Sequence, residues 1–257
     1  MQKLVSIDIF ADFGMLKKPD TNEPIYLTFN MLHKPSLLGI LGAIAGESGF
    51  KEKGVLPDYY LSFQDLKIGI QPLNHEKGNF QKTTVTYNNT TGMASKEQGG
   101  NLMITEQTLV APAYRCYFFF DTENETHRKA DENLSKYYAE YLPYLGKNEF
   151  SVWWKKYTVH DFEEFKPNES FKIKSIYIKN QPVEGSKYIQ AFSPFSIESG
   201  NTFSYFERLP IGYTDIGNKN YQYKYESFAF TNWTLKANYE VNFMILKLKN
   251  NGIIQVF

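Results

Sequence analysis

Apolar and polar residues alternate at the start of the chain, from residue 4 to residue 13. One face of this segment carries only apolar side chains: Val5, Ile7, Ile9, Ala11 and Phe13. A period of two is typical of a strand that is buried on one face. From Leu37 to Ala45 the apolar residues follow a helical spacing instead, after a proline at position 35 that suits a first helical turn. The pattern therefore predicts a strand followed by an apolar helix.

Two more strands and a second helix are predicted before residue 160. Residues 66–72 alternate like a strand, and residues 114–121 are apolar on both faces, as in a central strand. Thr122 and Glu125 have the spacing of a capping box, and apolar residues then recur helically as far as Leu142, where Pro143 ends the helix. A strand over 152–158 follows. This order is that of the ferredoxin-like, split βαβ pattern, which RNA-recognition modules share.

The remaining segments are rich in predicted strands. Residues 80–87 and 102–109 read as strands joined by an Asn-, Thr- and Gly-rich connection, which predicts a projecting β-hairpin over about 80–109. Beyond residue 160 short aromatic-rich strands alternate with Gly, Pro, Ser and Asn, and no comparable helix is predicted. We expect an α+β fold with a ferredoxin-like domain over 1–160, the inserted hairpin, and a β-rich region over 161–257.

The net charge of the chain does not by itself indicate a nucleic-acid partner. The chain has 28 Lys and Arg against 28 Asp and Glu, so it has no global basic field. A subunit that shares one RNA with its neighbours needs only a local strip of phosphate contacts, and lysine must supply most of them here. We therefore expect weak RNA binding by the isolated chain.

Several other classes of site are disfavoured. Cys116 is the only cysteine, and the four histidines have no metal-ligand spacing, so we expect no metal and no cofactor. The chain has neither a phosphate-loop motif nor a dinucleotide fingerprint. His160 and Asp161 form the dipeptide of metal-dependent phosphohydrolases, but in a strand or loop rather than on a helix. A clean secretion signal is lacking and the longest apolar stretch is too short to span a bilayer, so we expect a cytoplasmic protein without membrane contact.

One segment resembles a known family. Its residues match a pattern of proline, a small hydroxyl residue and Leu-Leu-Gly-x-Leu-Gly-Ala-x-x-Gly: Pro35, Ser36, Leu37, Leu38, Gly39, Ile40, Leu41, Gly42, Ala43, Ile44, Ala45 and Gly46. This is similar to the first-helix signature of the Cas-five family of the RAMP superfamily, subunits of type I CRISPR Cascade complexes. The first strand at 7–14 and the loop at 144–150 resemble the same family, and the combination is most like the type I-B branch.

The resemblance implies a function and partners. The chain would be a non-catalytic RNA-binding subunit that holds the 5′ handle of the guide RNA (crRNA), within a ribonucleoprotein for antiviral defence or RNA-guided DNA targeting. Its partners would be the crRNA, the Cascade backbone subunit and the Cascade large subunit, with target DNA reached indirectly through the complex. In the family, the start of the first helix, the glycine loop after the second helix and a hairpin called the thumb contact the guide. Residues 80–109 are similar to that thumb in position and length.

The resemblance and the residue chemistry together predict a group of RNA-binding residues, none of which is catalytic. It comprises His33, Lys34, Ser36, Gly39, Tyr87, Thr91, Gly92, Met93, Lys96, Gly146, Lys147 and Asn148. At the helix start, unpaired amides and the dipole would meet phosphate, and Lys34 would add charge. Gly146 would free the backbone of the second loop, while Lys147 and Asn148 would offer charge and an amide.

Alternatives remain open at several of these positions. The helix glycines suit close packing against the sheet as well as ligand contact. The thumb residues fit an ordinary polar hairpin tip, and Tyr114, Tyr117 and Phe119 fit core packing better than base stacking. A rival function is metal-independent endoribonuclease processing of precursor crRNA, as in the type I-C branch, with His33, Lys34 and Lys147 as candidates. A second rival is a purely structural docking role.

Overall fold

The computed structural model describes residues 2–21, 25–89, 102–183, 187–194, 201–238, 240–249 and 252–257. These residues form three helices: α1 (Lys34–Ala45), α2 (Asp58–Phe63) and α3 (Glu125–Ser135). They also form seventeen strands: β1 (Gln2–Phe10), β2 (Phe13–Gly14), β3 (Lys67–Pro72), β4 (Lys82–Asn89), β5 (Leu102–Val110), β6 (Ala113–Asp121), β7 (Trp153–His160), β8 (Phe162–Glu164), β9 (Tyr177–Ile178), β10 (Asn180–Val183), β11 (Lys187–Gln190), β12 (Phe192–Pro194), β13 (Ser204–Asp215), β14 (Tyr221–Thr231), β15 (Leu235–Ala237), β16 (Met244–Leu248) and β17 (Gly252–Val256). The predicted α+β class is confirmed. None of the helices among these residues is long and apolar enough to cross a membrane.

The central sheet has the strand order β3-β6-β1-β7, and every neighbouring pair is antiparallel. The four strands lie where the sequence predicts them. The apolar face of β1 packs under α1 and α3, with Val5, Ile7 and Ile9 almost fully buried. Since α1 connects β1 to β3 and α3 connects β6 to β7, both long helices cover one face of the sheet.

Helix α1 begins and ends at residues suited to its termini. His33 caps the first turn, and Gly46 closes the last turn with a left-handed φ of 82°. A Cβ on Gly42 would lie 2.3 Å from the Cβ of Tyr59, so this glycine allows close contact with α2. The expectation that the helix glycines serve packing against the sheet was wrong for Gly42, which packs against a neighbouring helix.

Helix α3 is shorter than the apolar spacing predicts. It is capped by Asn124 rather than Thr122 and ends at Ser135, and Tyr137 adopts a φ of 55°. The amide of Tyr141 donates instead to the carbonyl of Ala43 at 3.0 Å. Tertiary contact with α1 thus outweighs local helical propensity, and the chain after α3 forms an irregular segment.

The β-rich region shares its core with the rest of the chain. The hairpin β13–β14 packs on α1, and Leu209 and Phe228 lie in the same apolar cluster as β1 and α1. Strands β17, β16 and β8 cover part of the other face of the central sheet, where Ile254 and Val256 bury Tyr117. The division into domains 1–160 and 161–257 stays a prediction.

Candidate functional site

The start of α1 and the loop after α3 converge on one pocket of about 300 Å³. Helix α1 contributes Pro35, Ser36, Gly39 and Ala43, and the segment after α3 contributes Tyr141, Tyr144 and Gly146. The remaining walls include Tyr59 of α2 and Tyr213 and Tyr223 of the β13–β14 hairpin. We call this site the tyrosine pocket, defined by Ser36, Gly39, Gly146 and the five tyrosines 59, 141, 144, 213 and 223.

The chemistry of the tyrosine pocket is aromatic rather than cationic. Tyr213 and Tyr223 stack with ring centroids 5.0 Å apart, whereas Tyr141 and Tyr144 are about half exposed. Burial raises the pKa of Tyr59 to about 12, so its hydroxyl stays protonated at neutral pH. Among the described residues that line the pocket there is no lysine or arginine, and Glu47 is the charged one. Ring faces and hydroxyl groups suit a planar, hydrogen-bonding ligand such as a nucleobase better than a phosphate.

The loop after α3 is held in place by backbone contacts with the first part of the chain. Leu145 is buried, its carbonyl accepts from the amide of Met15 at 3.1 Å, and its amide donates to Phe150. Gly146 has a φ of 86°, and a Cβ there would lie 1.8 Å from the carbonyl oxygen of Met15. Glycine is thus required for the backbone of this pocket wall to lie against the Met15 backbone.

The helix start offers fewer free amides than the sequence suggests. Pro35 has no amide hydrogen, and the amide of Ser36 donates to Nδ1 of His33 at 3.4 Å. The imidazole of His33 is buried, and this burial lowers its pKa to about 3, so the ring is neutral. Ser36 and Gly39 face the pocket, but His33 acts as a helix cap rather than as an exposed cation.

Lys34 lies away from the tyrosine pocket. Its side chain runs towards the end of the chain, where Nζ lies 3.4 Å from the carbonyl oxygen of Phe257. Burial lowers the pKa of Lys34 to about 8, which indicates a largely desolvated ammonium group. The structure does not bring Lys34 together with Ser36 and Gly39, and its contact with RNA stays a prediction.

Lys147 belongs to a second cluster, which lies beside the middle of the paired strands β4 and β5. Its Nζ lies 2.6 Å from Glu106, 3.1 Å from Glu149 and 3.3 Å from the hydroxyl of Tyr87. Burial acts to lower the pKa of Lys147, but hydrogen bonds to these partners outweigh it and raise the pKa above its usual value. The charge of Lys147 is therefore compensated within the protein.

The other predicted residues divide between this cluster and segments that are not described. Tyr87 contacts Lys147 and Glu106, and Asn148 is exposed on the loop between Lys147 and Glu149. Thr91, Gly92, Met93 and Lys96 lie outside the described residues, so RNA contact by the hairpin tip stays a prediction. Tyr114, Tyr117 and Phe119 are buried, which confirms core packing.

Sequence reasoning missed the tyrosines of the pocket. Tyr141 and Tyr144 flank Pro143 beside the predicted glycine loop, and that proximity was a usable signal. Tyr213 and Tyr223 are brought to α1 only by long-range packing of the β13–β14 hairpin, which no local pattern reveals.

Comparison with known proteins shows that the fold of this chain resembles that of a solved structure. No family model and no curated protein matches the sequence. A crystal structure of a CRISPR protein from Archaeoglobus fulgidus is similar over 99% of this chain and 99% of its own, with a TM-score of 0.54 and 12% identity. A chain of a CRISPR RNA-guided surveillance complex is matched over 92% of this chain and 91% of its own, with 9% identity and a TM-score of 0.47, too weak a likeness to carry an argument. The chain therefore shares the fold of a CRISPR protein over nearly its whole length.

Proposed function

We propose that this chain is a non-catalytic crRNA-binding subunit of a type I CRISPR Cascade complex, and that it holds the 5′ handle of the crRNA. The observation that carries the proposal is the tyrosine pocket, where the helix with the Cas-five signature meets the glycine loop after α3. The fold likeness to a CRISPR protein supports the same assignment. The backbone and large subunits of Cascade would be the protein partners, and target DNA would be reached through the complex.

The topology supports a ferredoxin-like domain with a thumb. The strand order β3-β6-β1-β7, with two long helices on one face, is that expected for a split βαβ unit. Strands β4 and β5 pair antiparallel, from Lys82 opposite Leu109 to Asn89 opposite Leu102, at the position proposed for the thumb. In this proposal the hairpin lies against the guide RNA beside the Lys147 cluster.

The tyrosine pocket would act on bases of the handle. A splayed base of single-stranded RNA stacks on an aromatic ring, and the hydroxyl of Ser36 and the tyrosine hydroxyls can hydrogen-bond its edge. Gly39 leaves room, since a Cβ there would lie 3.8 Å from the ring of Tyr59. Because the pocket is lined by no lysine or arginine among the described residues, neighbouring subunits would neutralise much of the handle phosphate.

The arrangement of ionisable groups supports a non-catalytic role. An endoribonuclease needs a proton donor or acceptor beside a cation. Here His33 is buried and caps a helix, Lys34 points to the carbonyl oxygen of Phe257, and Lys147 is paired with two carboxylates. We expect no cleavage when the purified protein is incubated with repeat RNA, and sequence-specific products without an added nuclease would favour the processing alternative.

The binding role is tested by removing rings from the tyrosine pocket. The double variant Tyr141→Ala, Tyr144→Ala changes two exposed side chains, and Tyr138→Ala is a matched control because Tyr138 is 50% exposed and lies outside the pocket. In a reconstituted complex we expect roughly 5- to 150-fold weaker retention of crRNA by the double variant, since each stacked base contributes about 1–3 kcal/mol. Wild-type retention by the double variant would contradict the proposal.

A further inference from the structure

The face of the central sheet opposite α1 and α3 carries a row of polar side chains. In the register of the four strands, Gln71 pairs with Arg115, Arg115 with Asp8, and Asp8 with Lys155. Directly paired residues on antiparallel strands project to the same face. These four side chains therefore form one line across the sheet, and none of them belongs to the apolar cluster that β16 and β17 form on this face.

The charges in this row point outwards as a net positive surface. Asp8 is almost fully buried and accepts from Nε and Nη2 of Arg115 at 2.6 and 2.9 Å. Lys156 approaches the same carboxylate at 3.2 Å, yet its side chain is 69% exposed. The buried carboxylate of Asp8 thus contacts Arg115 and Lys156 and fixes the plane of the guanidinium group, while Lys155 lies opposite Asp8 in the register.

An aromatic pair lies in the next row of the same face. Phe10 pairs directly with Trp153, and their rings stack with centroids 6.3 Å apart and planes 18° apart. Trp153 is 40% exposed, and Nζ of Lys155 lies 5.8 Å from the centroid of Phe10. A large exposed ring next to exposed cations is the combination that binds single-stranded nucleic acid.

A backbone irregularity brings two consecutive lysines to this face. The β1–β7 register shifts between Ser6 and Asp8, and Lys156 adopts a left-handed φ of 57°. Regular alternation would direct neighbouring residues to opposite faces, whereas a bulge changes the direction of a side chain. As a result Lys155 and Lys156 both lie on the face with Asp8 and Phe10.

We propose that this surface, the cationic sheet face formed by Phe10, Arg115, Trp153, Lys155 and Lys156, binds single-stranded RNA. A base stacks on Trp153, and the lysines and Arg115 contact the flanking phosphates. The surface is separate from the tyrosine pocket, because the adjacent Trp154 points to the helix side and donates to the carbonyl of Leu134. Exposed lysines beside one ring are also unlike the core of a protein interface, from which lysine is depleted.

The test measures binding of a fluorescein-labelled single-stranded RNA to the full-length protein at several salt concentrations. Trp153→Ala removes the ring. The double variant Lys155→Gln, Lys156→Asn removes two charges, and asparagine is used at 156 because it tolerates the left-handed backbone there. Lys247→Gln with Lys249→Gln is the charge-matched control, because both lysines are more than half exposed and lie on β16 and directly after it. A DNA oligonucleotide of the same sequence and the Tyr141→Ala, Tyr144→Ala variant complete the set.

We expect Trp153→Ala to weaken RNA binding at least about fivefold. The double lysine variant should lower the slope of log affinity against log salt by about 1.4, since each phosphate contact contributes about 0.7 for single strands. Affinity equal to wild type, an equal loss in the control pair, or a loss confined to DNA would overturn the proposal. If RNA affinity is unchanged but the same variants fail to enter a reconstituted complex, the surface is a protein interface instead. If the tyrosine variant binds normally while these variants fail, the cationic sheet face stands and the proposed function of the pocket fails.

Discussion

At the residue scale, His33 shows how a predicted ligand can become a structural group. The imidazole caps α1 through Ser36 and packs edge-on against Phe29, with ring centroids 5.2 Å apart. Burial disfavours the charged imidazolium, and the pKa of His33 therefore falls to about 3. His33 therefore positions the start of α1, while Ser36 and Gly39 face the pocket itself.

The buried imidazole makes stability depend on pH. Because the pKa of His33 falls from its usual 6.5 to about 3 in the folded state, the unfolded chain binds the extra proton. Stability from this group is complete above pH 6.5 and is lost as the pH falls from 6.5 towards 3, by about 1.4 kcal/mol per unit. His33→Asn keeps a capping side chain but removes the ionisable imidazole. Between pH 6.5 and pH 5, we therefore expect the free energy of unfolding, measured by urea denaturation, to fall by about 2 kcal/mol less in this variant than in the wild type. Parallel pH profiles of the two proteins would be inconsistent with this assignment.

Gly146 supplies a second prediction at this scale. Alanine at Gly146 combines a left-handed φ with a clash against the Met15 backbone, whereas Gly217 has the same φ of 86° and open space. We expect Gly217→Ala to lower the free energy of unfolding by about 1 kcal/mol and Gly146→Ala by about 2–4 kcal/mol. Denaturant titration measures both values. Equal losses would mean that the loop does not lie against Met15.

Single residues were predictable where the chemistry is local. Ser36, Gly39 and Gly146 can be nominated from a motif and a turn, and the structure brings all three to one pocket. The position of the Lys34 side chain could not be predicted from the sequence, because it contacts Phe257, more than 200 residues away along the chain. The neutralisation of Lys147 likewise depends on Glu106, on a strand that is distant in sequence.

At the element scale, periodicity located α1 and the four central strands but misjudged α3. The apolar spacing continues to Leu142, yet the helix ends at Ser135, and Tyr141 and Tyr144 are exposed and line the pocket. A helical period and a series of pocket-lining rings can look alike in sequence. The chain leaves helical geometry at Tyr137, which has a left-handed φ, and the amide of Tyr141 donates to a carbonyl of α1.

Helix α1 offers a test that separates folding from binding. A methyl group on Gly39 meets no atom closer than 3.8 Å, whereas one on Gly42 would lie 2.3 Å from Tyr59. We expect Gly39→Ala to raise the free energy of unfolding by about 0.5–1 kcal/mol and to weaken crRNA retention by narrowing the tyrosine pocket. Gly42→Ala should lower stability instead. Thermal denaturation and RNA pull-down of both variants check this, and a Gly39→Ala protein with wild-type retention would argue against ligand contact at Gly39.

At the scale of the whole molecule, the β-rich region and the α1 region are tied by a buried carboxylate. Glu207 of β13 accepts from the amides of Asn30 and Met31 at 3.0 and 2.9 Å, just before α1. Its side chain is 7% exposed, and burial raises its pKa. Composition predicted strands beyond residue 160, but it held no information about this long-range contact.

Loss of that carboxylate should destabilise the entire fold. Glu207→Ala leaves two amides without their acceptor, and we expect the free energy of unfolding to fall by about 3 kcal/mol. Glu163→Ala is the control, because Glu163 is 68% exposed and its pair with Lys247 contributes less than about 1 kcal/mol. Urea titration followed by fluorescence compares them. A loss at Glu207 no larger than at Glu163 would show that the two regions are not coupled through this contact.

Ultraviolet cross-linking of the assembled complex tests the central claim most directly, because it reports which protein segments touch which nucleotides. Peptides cross-linked to the crRNA are identified by mass spectrometry after nuclease and protease digestion. We predict that nucleotides of the 5′ handle cross-link to the segments that contain Tyr141 and Tyr144, and Tyr213 and Tyr223, which share one pocket. Handle cross-links that occur only on other segments, with none at these tyrosines, would contradict the account.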